Sequence, residues 1–206
     1  MADAVDLVRA YLHLNGYFTV SEYPVVEQLR GGSHRMVTDL DILAFRFPAA
    51  GTPLSTSKPG HPRLPALLEP DPALGGRKGE SDMIVGEVKT GHAELNHAAR
   101  DPRVLEIALV RFGCCGAHEM EGVVAQLLQK GEASTGHGHR VRMVAFGSTV
   151  PQKGPSTYSV IAMGHIVAFL RSHLRENWDL IRHAQVSDPA LGFLSLLEKA
   201  ELGSDG

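Results

Sequence analysis

Cysteine is nearly absent from this chain: two residues among 206, Cys114 and Cys115, and they are adjacent. Neighbouring thiols cannot staple distant segments, so a disulfide framework is excluded and a reducing compartment is expected. Long apolar runs are missing too. The best stretch, 160–170, is interrupted by His165 and falls short of a membrane span. The opening MADAVDLVRAYLHLNG carries acids and lacks the basic start and apolar core of a secretion signal, so a cytoplasmic location is expected, without a membrane partner. Nor is there a charge excess of either sign worth the name: 20 Lys and Arg against 23 Asp and Glu leave a net charge of -3. Any contact with nucleic acid must therefore come from a local patch rather than a general positive field. The chain shows no internal repeat and no heptad run.

What is present is enough apolar residue, 43% of 206, for one domain with a sizeable core. Residues 3–15 space their apolar positions as an amphipathic helix, with Asp3 as N-cap and Asn15-Gly16 as stop signal. Residues 17–28 are rich in β-branched and aromatic types, and Gly31-Gly32-Ser33 turns them into 34–47 as a hairpin. Pro24 suggests an edge or a bulge. The segment 48–81 is crowded with Pro and Gly, has no periodicity except a helical turn expected at 64–68, and reads as an inserted loop. A third strand is expected at 82–89, then helix in pieces from 92 to 130, broken near Asp101-Pro102 and around 113–116. Residues 134–139 read as a loop leading to a strand at 140–146; another strand follows at 158–163, and closing helices at 164–183 and 189–202.

Two of these strands carry acids in apolar surroundings. Residues 38–44, Thr-Asp-Leu-Asp-Ile-Leu-Ala, place Asp39 and Asp41 on one face of a strand. Residues 83–90, Met-Ile-Val-Gly-Glu-Val-Lys-Thr, do the same for Glu87 and Lys89. Carboxylates on otherwise Ile, Leu and Val strands are costly to desolvate unless paired or bound to a cation. The competing interpretation is a charged cluster on an exposed sheet face, where such pairs stabilise little.

The element order, with Asp41 on the second strand and Glu87-Val88-Lys89 on the third, resembles the PD-(D/E)XK, or restriction-endonuclease-like, nuclease superfamily. The resemblance implies an α/β fold with an αβββαβ core over about residues 4–147, a mixed central sheet flanked by helices, the inserted loop 48–81, and a C-terminal strand and helices over 157–202. All would form a single nuclease-like domain spanning 1–206. It implies a divalent-metal-dependent nuclease, endonuclease or exonuclease, that hydrolyses DNA phosphodiester bonds, with Asp41, Glu87 and Lys89 as catalytic set. The cofactor would be Mg²⁺, with Mn²⁺ as substitute, on Asp41, Glu87 and the Val88 backbone carbonyl. Asp39 stands at the place of an auxiliary acid. DNA is the expected partner and RNA the alternative, with a homodimer or a partner protein also compatible. The long insert between Asp41 and Glu87 departs from the tightest forms of the motif, and the exonuclease branch's Gln-x-x-x-Tyr is absent after Gln126. The rival is a catalytically inactive nuclease-like fold acting as a nucleic-acid or protein binding module.

Other residues carry weaker signals. Glu22 and Glu27 read as a solvated strand face. Thr90, His92, Glu94 and Asn96 either line a cleft or open a helix. Cys114, Cys115 and His118 lack the paired spacing of structural zinc. His137-Gly138-His139 reads as a turn, and His165 as a core or cap residue. Arg100, Arg103, Arg111, Arg140 and Arg142 are basic enough to meet phosphate, and a solvated surface explains them equally well.

Overall fold

The computed structural model describes residues 3–50, 70–153, 157–181 and 187–203. Helix α1 (Ala4–Leu14) leads into strands β1 (Tyr17–Gln28) and β2 (His34–Arg46). A 3-10 turn (Pro72–Leu74) precedes β3 (Ser81–His92). Helices α2 (Pro102–Phe112) and α3 (Met120–Lys130) then carry the chain to β4 (Glu132–Ser134), β5 (His139–Thr149) and β6 (Ser159–Ala162). Helices α4 (Met163–Glu176), α5 (Trp178–Ile181) and α6 (Pro189–Gly203) close it.

The fold is α/β, with a mixed six-stranded sheet flanked by helices. Its order is β1-β2-β3-β5-β4, with β6 also on β5. Strands β1, β2 and β3 run antiparallel in succession. Strand β3 pairs with β5 in parallel, an arrangement that requires the crossover supplied by α2 and α3. One face of the sheet, with Leu43, Met83, Val85, Val141 and Met143, packs on Val104, Leu105, Leu109, Val123 and Leu127 of α2 and α3. The opposite face, with Ile42, Ala44, Ile84, Val144 and Phe146, packs on Tyr11 and Leu12 of α1 and on Ile166 and Leu170 of α4. Being covered on both sides, β3 is a continuous buried run over residues 82–87.

Local chemistry explains most boundaries. Asp3 and Asp6 form a reciprocal capping box at the start of α1, and Gly16 (φ 82) takes the left-handed turn after it. Asp101 accepts the Arg103 N–H to cap α2, with Pro102 in the first turn, and Gly113 in αL ends it. Three expectations are corrected. The stretch after residue 92 is not a helix start: β3 runs on to His92, and the helix waits for the Asp101-Pro102 signal. Residues 134–139 are not only a loop, because Glu132–Ser134 pairs with Arg142–Arg140 as a three-residue strand too short to show alternation. The helix expected over 164–183 ends at Glu176, with Asn177 as C-cap. The turn expected at 64–68 lies outside the described residues.

Arg140 and Arg142, side by side on β5, are not surface cations. Arg142 is 2% exposed and donates to both oxygens of Asp82 (2.8 and 2.5 Å) and to Leu74 O (2.6 Å), and Tyr17 O–H donates to the same carboxylate. Arg140 pairs with Glu132 and donates to Gly75 O at 2.7 Å. These arginines fasten the end of the 48–81 insert to the sheet.

Candidate functional site

The site lies where β2 parts from β3. The two strands pair from Arg46 opposite Asp82 to Ile42 opposite Gly86, and there the ladder stops. The same register would set Asp41 opposite Glu87. Instead the Asp41 side chain takes the place of a backbone partner: the Val88 N–H donates to Asp41 Oδ2 at 2.7 Å. On the other edge of β2, the pairs Ser21–Ile42 and Tyr23–Leu40 bracket Glu22 and Asp41 without joining them. Glu22 has φ 52, the one non-glycine residue in the left-handed region among the described residues. For such a residue that conformation costs of order 1–3 kcal/mol, and it persists only where the surroundings impose it. Asp41 thus stands at a break in both ladders.

Strand β3 continues past that break beside β5, with Glu87 opposite Ala145 and Lys89 opposite Gly147. Gly86 allows the close approach: a Cβ there would lie 3.1 Å from the Phe146 ring and 3.2 Å from Ile42 Cβ. Glu87 is 2% exposed. Its Oε1 accepts from the Lys89 ammonium, two residues along the same face, and from Asn96 Nδ2 at 2.8 Å. Asn96 is held in turn, since its Oδ1 accepts the Ala99 N–H at 2.6 Å. The chain can fold back to bring Asn96 here because Ala93 N–H bonds to Thr149 O at 2.8 Å directly over Gly147. A Cβ at Gly147 would sit 2.7 Å from the Ala93 backbone, so only glycine permits that crossing.

The electrostatics follow from this packing. Burial pushes the Glu87 carboxyl up, and the neighbouring Asp41 charge adds to that, against the opposing pull of Lys89 and Asn96. Lys89 is pushed up by its hydrogen bond to Glu87 and by the Glu87, Asp41 and Glu94 charges, so it is firmly cationic. Each carboxylate keeps one oxygen in reserve: Asp41 Oδ1 and Glu87 Oε2 take no hydrogen bond from the described residues.

Asp41, Glu87, Val88 and Lys89 are therefore brought together, through the contacts just given. Asp39 is not. It is exposed, beyond the end of the β2–β3 ladder, with no side-chain hydrogen bond or ion pair among the described residues. Asn96 belongs to the site and was not separable by sequence, since a polar residue a few positions after a strand reads equally well as a helix start. Among the described residues no three His, Cys, Asp or Glu side chains form a ready-made cation cage. The donor set still fits Mg²⁺ or Mn²⁺: hard carboxylate oxygens, two in number, suffice for an ion that keeps several waters and takes others from a phosphate. Among the described residues a zinc or thiol centre finds no such set. The Cys114 thiol is buried, packs against Leu109 O and is pushed up to about 12 by burial, while Cys115 faces the Met120 sulfur.

Of the remaining candidates, Arg103 is engaged by Asp101 and Glu27, Arg100 lies over the Tyr158 ring and Arg111 over Tyr23. His165 bonds to the buried Asp71 carboxylate, which also accepts from Tyr11 O–H at 2.8 Å, tying α4, α1 and the end of the insert together. No family model, curated protein or solved structure matches the chain. Among the described residues no helix is long and apolar enough to cross a membrane.

Proposed function

We propose that this chain is a divalent-metal-dependent nuclease of the PD-(D/E)XK type, hydrolysing DNA phosphodiester bonds. The observation that carries the proposal is the convergence of Asp41 and Glu87 at a break in the sheet, Asp41 on the Val88 N–H and each acid with an uncommitted oxygen, beside a cationic lysine. The run α1-β1-β2-β3, the helical crossover and the parallel β5 supports the restriction-endonuclease-like order αβββαβ.

Phosphodiesters resist hydrolysis because the nucleophile must approach an anion. A bound divalent cation supplies neutralisation of that charge and acidification of water. Asp41 and Glu87 would hold it, with the Val88 carbonyl as a further oxygen donor and Asp39 at most an outer contributor. Lys89 is held in its charged form, which suits it to stabilise negative charge developing on the phosphate rather than to act as a neutral base. Asn96 fixes the Glu87 carboxylate by occupying one oxygen, and the other would be left to hold the ion. The buried position of Glu87 raises the local strength of all these interactions.

The test is digestion of linear, circular, branched and single-stranded DNA, and of RNA, with Mg²⁺ or Mn²⁺. Asp41→Ala and Lys89→Ala should abolish metal-dependent cutting in folded protein. Binding of nucleic acid without cutting, unchanged by Asp41→Ala and Glu87→Gln, would replace this reading by that of a binding module.

A further inference from the structure

The β1–β2 hairpin outgrows the sheet. Strand β2 is bordered by β3 only over Ile42–Arg46, whereas β1 and β2 stay paired as far as Gln28 opposite His34. Beyond Val25 and Leu40, the last buried residues of the pair, the two strands continue as a ribbon whose residues 28–36 are all exposed. A register shift between Val25 and Val26 bends the ribbon where it leaves the body, as bulges beside functional sites do. A turn closes its tip, with Leu29 N–H bonded to Ser33 O at 2.8 Å and Gly31 (φ 103) and Gly32 (φ 84) in conformations open to glycine.

The ribbon's composition is unlike that of the rest of the molecule. Within 26–36 stand Arg30, His34 and Arg35 against one acid, Glu27, in a chain of net charge -3. Glu27 is paired with Arg35 and, at 3.4 Å, with Arg103 of α2, so it is already neutralised. Arg30 and His34 have no ion pair or side-chain hydrogen bond among the described residues. Beside these residues, Val26, Leu29 and Met36 are 47%, 40% and 56% exposed. An isolated two-stranded ribbon with apolar outer positions is unstable in water and prone to association unless something receives it.

We propose that this ribbon is an arm that enters the major groove of duplex DNA while Asp41, Glu87 and Lys89 face the strand to be cut, an inference that rests on the nuclease reading. The major groove admits a two-stranded β-ribbon, cations at its rim meet phosphates, and apolar side chains meet thymine methyls. Arg30 has the charge for a phosphate and His34 a ring nitrogen to hydrogen-bond one, and Leu29 and Met36 have the surface for the methyls. From Asp41 to Arg35 is six residues of β2, about 20 Å at a strand's rise, or roughly six base pairs along a duplex. The arm thus grips the same duplex a half-turn from the scissile bond.

The test uses the full chain, a fluorescent duplex oligonucleotide and its single strand, with Ca²⁺ in anisotropy titrations and Mg²⁺ in cleavage. Arg30 is exposed and makes no ion pair or side-chain hydrogen bond among the described residues, so Arg30→Glu should fold as the parent does. It should weaken duplex binding by roughly tenfold and lower the slope of log affinity against log salt by about 1, as loss of a phosphate contact requires. Single-strand cutting should change far less. The double substitution Leu29→Ser, Met36→Ser should lower duplex affinity without altering the salt slope. If the parent cuts DNA and these variants bind and cut duplex like it, the arm proposal is overturned and the nuclease reading stands. If the parent neither binds nor cuts, both fall. If the apolar substitutions instead turn a dimer into a monomer by light scattering and leave DNA binding intact, a second copy covers the arm and the proposal is wrong.

Discussion

Replacing Glu87 by Gln separates a cation site from a merely structural ion pair without requiring any cleavage. The site penalises the Glu87 charge, since burial and Asp41 together push its carboxyl up despite Lys89 and Asn96. A neutral side chain of the same shape relieves that penalty and still accepts from Lys89 and Asn96. Metal-free Glu87→Gln should therefore melt at or above the temperature of the parent. Cation reverses the order. An ion present at 100 times its dissociation constant stabilises the parent by about 2.7 kcal/mol. At about 2–4 °C per kcal/mol for a chain of this size, the melting temperature should rise by about 5–10 °C with Mg²⁺ or Mn²⁺. In Glu87→Gln, and likewise in Asp41→Asn, which retains an acceptor for the Val88 N–H, most of that rise should vanish. The assay is thermal denaturation followed by circular dichroism, with and without cation, at constant ionic strength. A metal shift equal in parent and variants, or a metal-free Glu87→Gln that melts well below the parent, would refute the reasoning, because either result makes the carboxylates structural.

Asn96→Ala removes a donor from Glu87 Oε1, so the Glu87 carboxyl should titrate still higher in carbon-detected NMR, and cation affinity should fall by about 10- to 100-fold, the usual cost of losing such a support; an unmoved titration would contradict it. Arg142→Met takes from the buried Asp82 carboxylate its bidentate partner, leaving it Tyr17 O–H and Arg140 at 3.7 Å, and should cost about 3 kcal/mol in urea unfolding, the low end for breaking a buried pair, whereas Asp82→Asn with Arg142→Met together should recover part of that loss. Asp71 is held below the usual carboxylate range: burial opposes this, but the Ala73 N–H, His165 and Tyr11 bonds outweigh it. A depressed carboxyl contributes stability that is present above its unfolded value, near 3.9, and is lost as pH falls through the folded value. Asp71→Asn should therefore be destabilising at pH 7, and the gap in urea midpoint should close as the pH is lowered below about 4; a gap independent of pH would show that the charge is immaterial.

Much of the architecture was legible because it is local. The helix at α1 announces itself through Asp3, Asp6 and Gly16, the hairpin through Gly31-Gly32, and α2 through Asp101-Pro102 and Gly113. Alternation placed Glu87 and Lys89 on one face, and the observed ion pair is the direct consequence of a period of two. The cleanest failures arose where the deciding partner is remote. Arg140 and Arg142 read as surface cations because nothing near them in sequence reveals Asp82, Tyr17 or Leu74. The three-residue β4 has no pattern of its own and exists only because β5 offers an edge.

The candidate site divides the same way. Acid-bearing apolar strands are a property of the sequence, since hydrophobic alternation specifies strand and face. Which acid meets Glu87 is not: Asp39 and Asp41 share a face, and only the end of the β2–β3 ladder selects Asp41 and leaves Asp39 exposed. Asn96 enters through a chain reversal that the missing side chain of Gly147 allows, a steric fact visible only when two strands lie side by side. Local periodicity could name the charged residues, but their desolvation, and hence their chemistry, comes from neighbours that the fold alone assembles.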